Sequence, residues 1–165
     1  MRVTRPADPA EFLERTAAFR AEDPVRTNVI GSVATGVLQG RAYDAEHWFV
    51  VEDDEGTIVG AAIWTEPYRL LLAPMPQEAA HALARAVLEL PRVPPGVIGP
   101  QETAEAVVAA AGWPTEQHML EHLLVLQDFA PATGVPGHAR PLTDADVDLA
   151  TDWMRQFSED ADALI

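Results

Sequence analysis

Few side chains in this sequence could carry covalent chemistry, and their types narrow the field. There is no cysteine, which excludes disulfides, thiolate nucleophiles and cysteine-based metal sites. All 11 basic residues are arginines, which excludes a Schiff-base lysine, a Walker-type lysine and lysine general bases. The serines, Ser32 and Ser158, lie outside any G-x-S-x-G turn, so a serine hydrolase has no nucleophile here. Carboxylates, histidines and tyrosines remain. Glu66, beside Tyr68 at the end of an apolar run, is placed to act as a general base with a hydroxyl acid, since strand ends border clefts in α/β folds. The alternative is a surface carboxylate before a proline turn. Asp44, Glu46 and His47 form either a second acid–base group or a solvated loop. His118, Glu121 and His122 match H-x-x-E-H, a zinc-protease pattern that needs a helix to bring both imidazoles together. Leu123–Leu126 follow directly and favour a strand, which turns Glu121 away from the histidines. No metal site is expected.

The elements that must position these groups follow from hydrophobic period and punctuation. Met1–Thr4 reads as an edge strand. Asp8 caps a helix with Pro9 in its first turn and Glu11 three residues on, and Phe12, Thr16 and Phe19 share a face. Asp23-Pro24 breaks it. Val25–Gln39 is a second helix, with Val29, Val33 and Val37 four residues apart and Gly31, Gly36 and Gly40 weakening it. His47–Glu52 and Thr57–Thr65 are β-rich runs joined by the turn Asp53-Asp54-Glu55-Gly56. Both are apolar on both faces, as central strands covered by helices on each side must be.

Tyr68–Ala73 is a third strand. Pro74 and Pro76 end it and open the helix Gln77–Leu90 with its alanine-rich stripe. Pro91, Pro94 and Pro95 stiffen the way to a brief strand, Val97-Ile98. Pro100 opens another helix, which Gly112 ends in a left-handed cap. A final strand is expected over Met119–Gln127. The fold class is therefore α/β (α+β by some schemes), a mixed central sheet flanked by helices on both faces. Trp48, Trp64 and Trp113 are expected as core or interface aromatics.

Size and charge bound the partners. A chain of 165 residues buries one core without staples. A net charge of −15 opposes nucleic acid, whose phosphates call for a basic surface, and anionic membranes. It leaves cationic small molecules open, beside plain solubility. No apolar run reaches the roughly 18 residues of a membrane span, and the N-terminus lacks a signal-peptide core, so a cytoplasmic address is expected. Phe129–Ala139 reads as a linker rich in proline and glycine. After it, Thr143 and Asp146 form another capping box, followed by Val147, Ala150, Met154 and Phe157 at helical spacing. An offset of 135 residues lays Arg5-Pro6 on Arg140-Pro141, Thr16 on Thr151 and Arg20 on Arg155. Residues 1–128 are thus expected as one unit, 129–139 as linker, and 140–165 as the opening strand and helix of a second unit, against which Trp153 packs.

This order of elements, with the run VVEDDEGTIVGAAIW (Val50–Trp64), resembles the GNAT superfamily of N-acetyltransferases. RPLTDADVDLATDWMRQF (Arg140–Phe157) looks like the opening of another such unit, and Ala111-Gly112-Trp113 stands where the family has a Gly-aromatic turn. The resemblance implies an acetyl-CoA-dependent enzyme in which a small-molecule amine attacks the thioester while a base removes its proton. It also implies a loop of type [RQ]-x-x-G-x-[GA], whose amides and following helix hold the cofactor's pyrophosphate. The stretch at that place, Ala73–Ala80, has no glycine. Pro74 and Pro76 have no N–H to offer, and Glu78 competes with a phosphate for the helix dipole. Residues 1–165 are therefore expected as the non-catalytic first unit of a tandem acetyltransferase, with no cofactor of their own. Leu72, Ala73 and Ala79 are where acetyl-CoA would touch if it bound. A second GNAT-like unit of the same chain, or a homodimer, is the implied partner. A non-enzymatic dimerisation or ligand-sensing module, or a small complete acyltransferase with a divergent cofactor loop, are the alternatives.

Overall fold

The fold is built on one hairpin, β2 (Glu46–Glu52) and β3 (Ile58–Thr65). The Asp53 carboxylate closes its turn by accepting from the Glu55 and Thr57 amides at 3.0 and 2.8 Å. Gly56 supplies the left-handed backbone the turn requires (φ 86°). Alternate side chains leave opposite faces of the hairpin. Phe49, Val51, Ala62 and Trp64 point to one core, and Trp48, Val50, Ala61 and Ile63 to another.

Residues 1–116, 120–131 and 133–160 are described by this computed structural model. The chain forms two units, Met1–Val125 and Leu126–Ile165. In the first, five strands lie in the order β1-β2-β3-β4-β5, adding β1 (Arg2–Thr4), β4 (Leu70–Leu72) and β5 (Val97–Ile98) to the hairpin. Neighbours are antiparallel except β4 and β5, which run parallel with Leu70 opposite Val97 and Leu71 opposite Ile98. A parallel pair needs a crossover, and α4 (Gln77–Leu88) provides it. Ala79, Ala80 and Ala84 are fully buried, and their small side chains let α4 lie close on the sheet while Leu83 and Val87 fill the space between. Helix α5 (Gln101–Ala111) joins this face through Val107, and Trp113 packs at its margin. Gly112, in left-handed conformation (φ 67°), ends α5.

The other face is covered by α1 (Pro9–Arg15) and α3 (Asn28–Leu38). Phe12 lies 5.3 Å from Trp48, ring centre to ring centre, with Ile30 and Ala34 beside them. The sheet is thus mixed and flanked on both faces, an α/β architecture. The first helix departs from its expected course at Thr16. The Thr16 hydroxyl donates to the Phe12 carbonyl at 2.7 Å, and the chain restarts as α2 (Ala17–Glu22). The next helix begins at Asn28 rather than Val25, because Thr27 first bonds back to Asp23.

The expected final strand is not formed. Leu120–Gln127 are exposed and pair with no strand; the remainder of the predicted strand and its approach, 117–119, lie outside the described residues. A strand exists only where a neighbour pairs with it, and β5 offers two residues. In the second unit, α6 (Val147–Asp160) starts from the expected capping box, with the Thr143 amide donating to Asp146 at 2.9 Å. Arg140 grips the same carboxylate through two bonds of 2.7 Å and holds it far below the usual carboxylate range. Trp153, Met154 and Phe157 on α6 are exposed.

A β-bulge between Val51 and Glu52 marks the far end of the hairpin. There the buried Glu52 carboxylate receives Arg2 from β1 and Arg15 from α1, the latter at 2.6 Å. The Arg2 hydrogen bond, then that of Arg15, hold its pKa below the ordinary glutamate value. A lowered carboxylate contributes stability above the unfolded pKa and loses it as pH falls through the folded one. Glu52→Gln is expected to lower stability at pH 7 by about 1–3 kcal/mol. It should also flatten the loss of stability on acidification below the ordinary glutamate range. Urea unfolding followed at several pH values checks both.

Candidate functional site

Two places in the first unit bring together residues that the sequence singles out. One is the β4–α4 junction, the place that the resemblance noted in the sequence would assign to a cofactor's pyrophosphate. The amides that precede α4 are already committed. The Ala73 N–H bonds to the Ala61 carbonyl at 2.9 Å as part of the sheet, and the Met75 N–H points to Thr103 Oγ1 at 3.4 Å. Pro74 and Pro76 have none. The Met75 side chain covers Gly60 of β3, its Cβ and sulfur 2.8 and 3.1 Å from where a Gly60 Cβ would stand. On the far side, Gly99 follows β5 and crosses Leu72 so tightly that a Cβ there would meet the Leu72 carbonyl at 2.7 Å. Leu72 and Ala73 are buried, as is Ala79. Only the first-turn amides of α4 remain uncapped by any side chain.

The electrostatics there oppose an anion as well. Arg26 lines the depression at this junction together with Glu102. The Asp23 carboxylate holds the Arg26 guanidinium at 2.5 Å, and the Arg26 amide followed by its guanidinium lowers the Asp23 pKa. The one arginine at the depression is neutralised. Glu78 stands in the first turn of α4.

The second place lies at the other end of β3. From Gly60 to Glu66 is six residues of extended chain, about 20 Å. Glu66 is 5% exposed, not a surface carboxylate. Cross-strand pairing sets it beside β2: the Glu66 amide donates to the Ala45 carbonyl at 2.9 Å and its carbonyl accepts from Asp44. His47 Nε2 meets Glu66 Oε1 at 3.2 Å, and Arg92, from the connector after α4, donates to Oε2. Arg5 NH2 meets His47 Nδ1 at 3.2 Å. A guanidinium only donates, so Nδ1 accepts, and a neutral imidazole then carries its proton on Nε2, directed at Glu66. The His47 ring stacks on Trp64 at 4.9 Å.

Each Glu66 oxygen therefore already has a donor, and the carboxylate is spent as a clamp rather than presented as a base. Tyr68 is not joined to it. Its ring meets Tyr43 edge-on at 5.9 Å, and its carbonyl, not its hydroxyl, is tied down, by Trp64 Nε1 at 2.8 Å. Of the Asp44, Glu46 and His47 group, only the His47 side chain reaches Glu66; Asp44 contributes its amide. The hairpin register could have revealed His47 and Glu66 as neighbours. Nothing in the sequence points to Arg5 and Arg92.

His122 and Glu121 are exposed, outside any helix or strand, and His118 lies outside the described residues. Among the described residues no group of three or more His, Cys, Asp or Glu could hold a metal ion, and no helix is long and apolar enough to cross a membrane. No family model, curated protein or solved structure matches the chain.

If Glu66 is a buried clamp, Glu66→Ala removes the buried charge itself, leaves the His47 N–H without its acceptor and lets Arg92 turn to solvent. It is expected to cost about 1–3 kcal/mol. Arg92→Ala leaves the Glu66 carboxylate, its side chain 6% exposed, buried with no cation on it and is expected to cost at least as much. Denaturant unfolding of both variants tests this order. Gly60→Ala is expected to destabilise by about 1–3 kcal/mol, because its methyl must displace Met75; the thermal midpoint reports it.

Proposed function

We propose that the first unit is a non-catalytic acetyltransferase-like unit belonging to an acetyl-CoA-dependent N-acyltransferase that acts on a small-molecule amine. The order of its strands and helices, with a parallel β4–β5 pair bridged by α4, supports the architectural half of this reading. The state of the β4–α4 junction carries the other half. The Ala73 and Met75 amides are bonded internally, Pro74 and Pro76 have none, and Met75 and Gly99 occupy the space beside β4, which leaves only the first-turn amides of α4, beside Glu78.

The repeated start supports a tandem arrangement. In the first unit the Asp8 carboxylate accepts from the Glu11 amide, and Glu11 reaches back to the Ala7 amide, each at 2.8 Å. Thr143 and Asp146 make the reciprocal box at the positions that the 135-residue offset assigns to Asp8 and Glu11. In α1 the residue after this box, Phe12, is fully buried against the sheet. The apolar residues of α6 have the pattern of a helix that covers a sheet in the same way. On this reading the catalytic unit supplies the acetyl-CoA site, and the first unit supports it. Calorimetric titration of acetyl-CoA into the 165-residue chain is expected to give no saturable binding into the millimolar range. A micromolar dissociation constant would overturn the proposal.

A further inference from the structure

Helix α3 carries glycines at Gly31 and Gly36, each costing about 1 kcal/mol relative to alanine in a helix interior. Both have an arginine laid against them. Arg20 NH1 lies 2.9 Å from the position a Gly31 Cβ would take, and the Arg41 guanidinium lies over Gly36 with Nε and Cζ 3.6 Å from its Cβ position. Asn28, Gly31, Ser32, Thr35, Gly36 and Gln39 recur at spacings of three and four and so form one stripe of the helix, with the two glycines at its edges. The guanidiniums therefore flank a strip of hydroxyls and amides.

This strip floors an open depression of about 660 Å³, of the size that small ligands use. Its only charged lining residues are Arg20 and Arg41. Neither makes an ion pair among the described residues, in a protein with 26 acidic and 11 basic side chains. Arg20 is fixed from behind: Nε donates to Thr16 Oγ1 and NH2 to the Leu13 carbonyl, both at 3.0 Å, leaving NH1 toward Gly31. Those bonds explain Arg20 as a link between α1 and α2. They do not explain Arg41, nor the lack of any carboxylate in the hollow. The junction depression makes the contrast plain, because there Arg26 is paired with Asp23 and a glutamate shares the lining.

We propose that this face of α3 is an oxyanion-binding site for a phosphate-bearing small molecule. Guanidinium groups match phosphate and carboxylate oxygens in forked pairs. Phosphate is the better fit, because its three terminal oxygens take one guanidinium fork and still leave an oxygen for a hydroxyl of the strip, whereas a carboxylate's two oxygens are filled by the fork alone. The hollow is open, so it takes a head group and leaves the rest of the ligand in solvent.

A protein of net charge −15 repels small anions in general, which makes saturable binding at one face a discriminating observation. The test is a titration of the 165-residue chain with inorganic phosphate at constant ionic strength, followed in nitrogen–proton spectra that include arginine Nε. Saturable shifts are expected at Arg20, Arg41 and the Ser32 and Thr35 amides, absent with chloride and about tenfold weaker in affinity in Arg41→Ala. Unshifted peaks elsewhere in that variant report an intact fold. A succinate titration separates the two oxyanions, and tighter binding of succinate at the same residues would overturn the phosphate assignment. Shifts that fail to saturate, that chloride reproduces, or that Arg41→Ala leaves unchanged would overturn the site itself.

Discussion

The first unit depends on two adjacent strands that are apolar on both faces. A strand with one wet face would need a single covering layer. β2 and β3 expose Phe49, Val51, Ala62 and Trp64 on one side and Trp48, Val50, Ala61 and Ile63 on the other, so each side must be covered by helices. That demand places α4 and α5 on one face and α1 and α3 on the other. It also leaves the two ends of the hairpin as the places where charge can enter. Each end holds a buried carboxylate with arginines on it: Glu52 with Arg2 and Arg15, and Glu66 with Arg92 and, through His47, Arg5. The clamps join β1, α1 and the α4–β5 connector to the central pair, and removing either acid would leave cations without their partner.

Much of this frame was legible in the sequence because it rests on local rules. The hairpin follows from an acidic turn ending in glycine, and the caps at Asp8 and Thr143 from spacing alone. The prolines at 74 and 76 both end β4 and remove two donors, so the weakness of the junction as an anion site was readable as composition. Other features depend on partners distant in the chain. The apolar run at Leu120–Leu126 has strand composition, but composition does not supply a neighbour, and the sheet stops at a two-residue β5. Glu66 read as a surface carboxylate before a proline turn, with a general base as the rival, since its burial and the arrival of Arg92 come from tertiary packing. Thr16 ended α1 by a side-chain bond that helical periodicity does not register. The glycines of α3 were visible only as weak points, and their use appears once Arg20 and Arg41 are seen resting on them.

The two depressions of the first unit contrast in a way that charge explains. At the β4–α4 junction an arginine is present but paired, glutamates stand close by, and the backbone donors before α4 are bonded or absent. On α3 the described lining holds no acid, two guanidiniums without an ion pair among the described residues, and a row of hydroxyls. The oxyanion site proposed on α3 is thus lined by residues other than those of the β4–α4 junction, where an acetyl-CoA pyrophosphate would be expected.

The most direct test of this account follows the backbone amides of Met75, Gln77, Glu78 and Ala79 in nitrogen–proton spectra as acetyl-CoA is added to the chain. The account predicts that these four peaks stay in place, whatever weak shifts the nucleotide's phosphates cause at Arg20 and Arg41. Saturable displacement of the Gln77–Ala79 amides at micromolar acetyl-CoA would show a working cofactor loop and contradict it.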